Sequence, residues 1–140
     1  TKHFLRIIPN KILSSVNMTT SPFPGFPTDL QAPFMALMAT ANGTSQIIET
    51  VFENRMHHVK ELNRMGAKIT VRDNIAKVVG VKKLQGREVI GSDLRATAAL
   101  AIAGLSANGK TIVKGLEHLE RGYENFPEKL QEIGASILKK

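Results

Sequence analysis

The chain has 140 residues, enough for one domain or part of a larger one, and 42% of them are hydrophobic, which supplies a core and excludes a disordered tail. Nineteen Lys and Arg against twelve Asp and Glu give a net charge of +7, so an anionic partner is expected: nucleic acid, a membrane surface or a phosphorylated metabolite. The absence of cysteine excludes a disulfide scaffold, a thiolate metal site and cysteine chemistry within these residues.

Thr1 to Ser15 sets Lys2, Arg6 and Lys11 among Phe4, Leu5, Ile7, Ile8, Ile12 and Leu13, but Pro9 and Asn10 interrupt the run. It is too short and too broken for a signal peptide or a membrane span. The first residue is not Met, so the chain reads as a processed product or the end of something longer. Ser21 to Pro27 is rich in Pro and Gly and predicts a stiff loop that aims Thr28 and Asp29.

A helix is predicted next, with Leu30, Phe34, Leu37, Met38 and Ala41 on its apolar face; Leu94, Ala98, Ala101, Ile102 and Leu105 repeat that spacing 64 residues later. The openings match too, Thr28-Asp29-Leu30-Gln31-Ala32 against Ser92-Asp93-Leu94-Arg95-Ala96, and both helices stop at Ala-Asn-Gly, where Gly43 and Gly109 allow a left-handed backbone. Each copy continues with a β-rich run, Thr44 to Phe52 or Lys110 to Leu116, and an arginine, Arg55 or Arg121, at the start of a second helix. Val59, Leu62 and Met65 mark that helix in one copy and Phe126, Leu130 and Ile133 in the other, with Gly66 and Gly134 ending them. Strands Lys68 to Arg72 and Ser136 to Leu138 follow, and in the first copy Asp73-Asn74 turns into a further strand, Ile75 to Val81. The pseudo-repeats therefore run over about 28–91 and 92–140.

Asp29 and Asp93 are read either as helix N-caps or, with Thr28 and Ser92 able to cap instead, as carboxylates free for a site. Arg55, Arg95 and Arg121 are either solvated surface cations or forks converging on a small anion, since guanidinium binds carboxylate and phosphate through two parallel bonds. His3, His57, His58 and His118 lack metal-ligand spacing and are expected to be solvated or half-buried, so no metal is expected. The run from Gly104 to Thr111 ends like a phosphate loop but reads better as a helix stop leading into a strand.

From about Thr20 onward the chain resembles the UDP-N-acetylglucosamine 1-carboxyvinyltransferase (UDP-N-acetylglucosamine enolpyruvyl transferase) family. The resemblance rests on Phe-Pro-Thr-Asp-Leu-Gln-Ala from Phe26, Glu-Thr-Val-Phe-Glu-Asn-Arg from Glu49, Glu-Leu-Asn-Arg-Met-Gly-Ala from Glu61, Ser-Asp-Leu-Arg-Ala from Ser92 and His-Leu-Glu-Arg-Gly-Tyr-Glu from His118. It implies an α/β fold, the inside-out α/β barrel, in which each of two lobes holds three related units; this chain would be about two units, the C-terminal part of one lobe. It further implies transfer of an enolpyruvyl group from phosphoenolpyruvate to the 3-hydroxyl of UDP-N-acetylglucosamine, with release of phosphate and no cofactor. That reaction is the first committed step of peptidoglycan precursor synthesis in the bacterial cytoplasm.

By that resemblance Asp29 contacts the sugar hydroxyl and is the proposed general base, and Val51 contacts the sugar through its backbone. Arg55, Arg95 and Arg121 hold the phosphoenolpyruvate side, and Asp93 is a second acidic position. Met56 and His57 stand where the family usually has Phe and Met. No Lys-Asn pair lies near the start, and the cysteine-bearing loop that supplies a proton donor in most members is absent, so the partner is the N-terminal lobe and the chain alone is expected to be inactive. The alternatives are an enzyme like 5-enolpyruvylshikimate 3-phosphate synthase, or a basic module that binds anions or nucleic acid. Few aromatic residues speak against nucleic acid, and no membrane partner is expected.

Overall fold

The computed structural model describes residues 6–8 and 12–139. His3, Lys2 and Lys11 of the opening segment lie outside them. The chain runs through β1 (Met18–Thr19), a 3-10 turn (Thr28–Leu30), α1 (Gln31–Met38), β2 (Thr44–Ile48), α2 (His58–Arg64), β3 (Lys68–Arg72), β4 (Ile75–Val79), β5 (Glu88–Ile90), α3 (Leu94–Ser106), β6 (Ile112–Lys114), α4 (Leu116–Leu119) and α5 (Phe126–Glu132). This mixture is an α/β fold.

Strand alternation builds the first sheet, ordered β1-β2-β4-β3. Ser45 and Ile47 of β2 point inward and their neighbours outward. β2 runs parallel to β1 and antiparallel to β4, which pairs with β3 through the expected turn, where Asp73 takes a left-handed φ of 54°. A second, two-stranded sheet pairs β5 parallel with β6. Each parallel pair is bridged by a buried helix, α1 or α3, which gives two strand-helix-strand crossovers. The short strands β1 and β5 ahead of each helix carry no sequence pattern that had marked them.

The two bridging helices pack on each other. Their contact faces are built from small residues and methionine, with Ala32, Met35, Ala36 and Ala39 meeting a helix buried along Ala96, Ala99, Leu100 and Ala103. Small side chains let helix axes approach closely. The expected apolar face is therefore shifted: Met38, Ala41, Ala98 and Ala101 are buried, but Leu30, Leu37 and Leu105 are exposed. The positions between them, chiefly alanines, face the neighbour.

Three further expectations are corrected. Ser136 to Leu138 is irregular, because no second hairpin arm stands beside it to pair with; Leu138 is exposed. Neither arginine opens a helix: Arg55 lies in the loop before α2, and Arg121 sits in the turn after α4, with Leu116 already helical and not part of a strand. Gly43 and Gly109 are left-handed, with φ of 114° and 81°, but they launch β2 and β6 instead of terminating the helices directly. The run Gly104 to Thr111 is the end of α3 and the approach to β6, as expected.

Candidate functional site

The loop Ser21 to Pro27 closes on itself through Ser21 N–H to the Phe26 carbonyl at 3.0 Å, and the Phe26 ring meets Phe34 of α1 edge-on at 5.4 Å. The chain therefore enters the 3-10 turn at a fixed place. Asp29 sits inside that turn and caps nothing; its side chain is 64% exposed. Arg95 reaches it from the first turn of α3, with Nε at 2.6 Å and Nη2 at 2.5 Å, both on Oδ1. Arg55 brings Nη1 to the same oxygen at 3.5 Å. Oδ2 has no partner among the described residues. Two guanidinium groups, one from the loop after β2 and one from α3, thus anchor one oxygen of a carboxylate and leave the other open.

Asp93 took the other course. It is the N-cap of α3: its backbone is extended and its Oδ1 accepts from the Arg95 and Ala96 N–H groups at 2.9 and 3.0 Å. Burial raises its pKa, but the bonds from Ala96, Ser92 and Arg95, with the nearby His58, outweigh that, so the carboxyl lies below its ordinary 3.8. Ser92 donates to this carboxylate instead of replacing it as cap. The matched aspartates therefore divide the two readings between them.

Arg55 is only 20% exposed and stacks 3.8 Å above the Phe52 ring, while its Nη1 donates to Thr28 Oγ1 at 3.3 Å. Val51 lies in the loop between β2 and Arg55, and its N–H is taken by Glu49 at 2.9 Å. Arg121 is exposed, and among the described residues no ion pair or hydrogen bond ties it to Asp29, Arg55 or Arg95. It borders a cleft with Leu119, Tyr123 and Phe126, whereas Arg55 borders another with Phe52, Met56 and Asn63. The convergence expected of three arginines holds for two, and they meet a carboxylate.

Two residues are buried more deeply than their sequence suggested. Glu49 is 2% exposed and accepts from Thr20 Oγ1, Thr28 Oγ1, Val51 N and Phe52 N. Burial opposes its charge, yet these donors prevail and hold its pKa below 4.5. Its signal was present: after Ser45 and Ile47 it is the next inward position, and an inward Glu needs partners. His58, expected to be solvated or half-buried, is 3% exposed, with Nε2 unpartnered among the described residues. Burial lowers its pKa to about 4, against the pull of Asp93 and with the push of His57. His57 is exposed and His118 half-buried. Among the described residues no group of three potential metal ligands occurs, and no helix is long and apolar enough to cross a membrane.

Comparison with known proteins gives a consistent picture. The family model described as EPSP synthase (3-phosphoshikimate 1-carboxyvinyltransferase) matches residues 1–130. A Prochlorococcus marinus protein named UDP-N-acetylglucosamine 1-carboxyvinyltransferase 2 is 59% identical over 133 residues, which is 95% of this chain and 31% of that protein. The UDP-N-acetylglucosamine 1-carboxyvinyltransferase of a Nostoc species is 58% identical over 135 residues, 96% of this chain and 30% of its own length. The chain thus spans about 30% of the curated relatives it matches. Among solved structures, the enolpyruvyl transferase NikO from Streptomyces tendae superposes with a TM-score of 0.81 at 33% identity, over 91% of this chain and 30% of that one. EPSP synthase from Acinetobacter baumannii, at 18% identity and a TM-score of 0.67 over 91% of this chain and 29% of that one, shares the fold.

Proposed function

Since the chain belongs to the EPSP synthase family of carboxyvinyltransferases, we propose that it is part of an enzyme transferring the enolpyruvyl group of phosphoenolpyruvate to the 3-hydroxyl of UDP-N-acetylglucosamine. Phosphate is the second product. The observation that carries this reading is the Asp29 carboxylate, held at Oδ1 by Arg95 and Arg55 and open at Oδ2. A base for a sugar hydroxyl needs an acceptor oxygen within hydrogen-bond reach, and the cosubstrate needs cations for its carboxylate and phosphate.

In this reading the hydroxyl proton passes to Asp29 as the sugar oxygen bonds to C2 of phosphoenolpyruvate, while C3 takes a proton from a donor. Loss of a C3 proton and of phosphate then restores the double bond. Arg95 and Arg55 turn from Asp29 toward the cosubstrate's negative charge, and Arg121, which borders a separate cleft in this chain, joins them once the rest of the enzyme is in place. Val51 meets the sugar through its backbone; because its N–H is engaged by Glu49, the carbonyl is the available group. Asp93 stays the cap that sets the first turn of α3 and so the direction of Arg95.

The chain is then the C-terminal part of one lobe, with related units over about 28–91 and 92–140, and its partner is the N-terminal lobe of the same enzyme. The product belongs to peptidoglycan precursor synthesis in the bacterial cytoplasm. The 58–59% identity to proteins named for the UDP-sugar favours that acceptor over shikimate 3-phosphate. The test is phosphate release from phosphoenolpyruvate by the full-length protein carrying this chain. Release that depends on UDP-N-acetylglucosamine and falls at least about 100-fold in Asp29→Asn is expected; release driven by shikimate 3-phosphate instead overturns the acceptor.

A further inference from the structure

Glu49 is the most heavily engaged side chain near the site, and its partners are distributed in a telling way. On Oε1 it accepts from Thr20 Oγ1 at 2.8 Å, Val51 N at 2.9 Å and Phe52 N at 3.2 Å; on Oε2 it accepts from Thr28 Oγ1 at 2.8 Å. Its backbone is pinned as well, with Glu49 N donating to the Asn74 carbonyl and Asn74 Nδ2 donating to the Glu49 carbonyl, each at 2.9 Å. Thr20 directly follows β1, Thr28 opens the turn that holds Asp29, and Val51 and Phe52 form the loop that leads to Arg55. These segments are distant in sequence, and one buried carboxylate meets them all.

A hydroxyl has one proton. When Thr28 donates it to Glu49, the oxygen can only accept from its other neighbour, Arg55 Nη1 at 3.3 Å. Thr20 is arranged alike, donating to Glu49 and accepting from Thr50 N at 2.9 Å. An ionised carboxylate, unable to donate, fixes both directions.

We propose that Glu49 is a positioning residue for this site: from one buried point it holds the segments bearing Asp29, Val51 and Arg55, and by orienting the Thr28 hydroxyl it makes that oxygen the seat of Arg55. The role rests on the enolpyruvyl-transfer reading. Glu49 touches neither substrate nor reacting atoms; it acts through Thr28 and the loop.

Glu49→Gln separates this role from mere packing. The three donors on the Oε1 side select the amide oxygen, so the NH2 group faces Thr28 and turns its hydroxyl around. The Thr28 proton then loses its fixed acceptor, and the oxygen that seats Arg55 must share its lone pairs with a second donor. In the full-length protein carrying this chain, Glu49→Gln is expected to melt within a few degrees of the unaltered protein. Its KM for phosphoenolpyruvate rises about tenfold or more, as loss of a hydrogen bond to a charged group implies, and the KM for UDP-N-acetylglucosamine stays within about threefold. Thr28→Val, which removes the relay oxygen, gives the same split, and the double variant is no worse than the more damaging single one.

A KM for phosphoenolpyruvate within about twofold in a folded Glu49→Gln protein, or multiplying effects in the double variant, overturns the proposal. Should Glu49→Gln fail to fold, Thr28→Val decides alone by the same criterion. If the unaltered protein transfers no enolpyruvyl group, the functional reading fails. The positioning role is then judged by the crystal structure of Glu49→Gln or, where that variant does not fold, of Thr28→Val: Arg55 still seated at residue 28 overturns it, and Arg55 displaced supports it.

Discussion

Asp29 and Asp93 show how the same residue in the same local sequence acquires two tasks. Asp93 is itself extended and caps a helix of 13 residues, so its carboxylate is committed to backbone N–H groups. Asp29 lies within a 3-10 turn, and its carboxylate is committed to arginines. Asp93→Ala should therefore cost about 1 kcal/mol of stability, with Asp93→Asn retaining most of it, whereas Asp29→Ala should stay within about 0.5 kcal/mol because an exposed ion pair contributes little. Chemical denaturation of the three variants checks this. Titration gives a second prediction. His58 binds its proton at about 4 in the folded chain against 6.5 when free, so the unfolded state holds more protons between those values and stability falls as pH drops through that window, by roughly 3 kcal/mol. Glu49 and Asp93, with depressed values, stabilise fully above 4.5 and 3.8 and lose that contribution only as pH falls through their lower folded values. Melting temperature against pH should thus decline in two stages, and His58→Gln should remove the first. That an Asp and an Arg stand at each junction was legible from the repeat, but that two arginines meet Asp29 was not, since they were expected on a small anion; nor was the choice of cap, because Thr28 and Ser92 offered the same alternative in both copies.

Among the elements, α2 and α5, matched by the sequence repeat, have unequal surroundings. α2 packs against β3, at the edge of the first sheet, and against α3, with Leu62 and Met65 fully buried, and Glu61 accepts the Ile90 N–H at 3.1 Å, tying the helix to the second sheet. α5 has no such sheet: it carries no buried residue, and Ile133 is 80% exposed. Periodicity found both helices because it reports the apolar stripe, and it could not report whether a partner exists for the stripe to meet. The same gap explains Ser136 to Leu138, whose β-like sequence remains irregular without a pairing strand. It also explains the shifted face of α1, since alanines count weakly in a hydrophobic pattern yet govern how closely two helices pack. Met65→Ala should cost about 2–5 kcal/mol, as deletion from a filled core does, and Ile133→Ala should stay within about 0.5 kcal/mol. Hydrogen exchange should agree, with α2 amides protected far more strongly than those of α5.

For the whole molecule the net charge of +7 resolves into cations with different employment. Arg55 and Arg95 face Asp29, while Lys114, Arg64 and Lys139 pair with Glu88, Glu61 and Glu120 at the surface. What the charge could not disclose is which side chains can give up a proton near neutral pH. Enolpyruvyl addition needs a donor to the methylene carbon as well as a base. Asp93 and Glu49 are ionised with depressed pKa values, and His58, at about 4, is neutral and enclosed, so none of the three offers an acidic proton at pH 7. Arg121, moreover, borders a different cleft from Arg55. On the proposed reading, the site around Asp29 offers a base and two cations, and Glu49, Asp93 and His58 do not add the acid that the reaction requires. On its own, with phosphoenolpyruvate and UDP-N-acetylglucosamine both saturating, the chain should release phosphate no faster than the protein-free blank. The measurement is made on a preparation whose cooperative melting has been recorded, so that an unfolded chain is not mistaken for an inactive one. Steady release above the blank would show that a proton donor is already present and would move the search for it to the residues around Arg121.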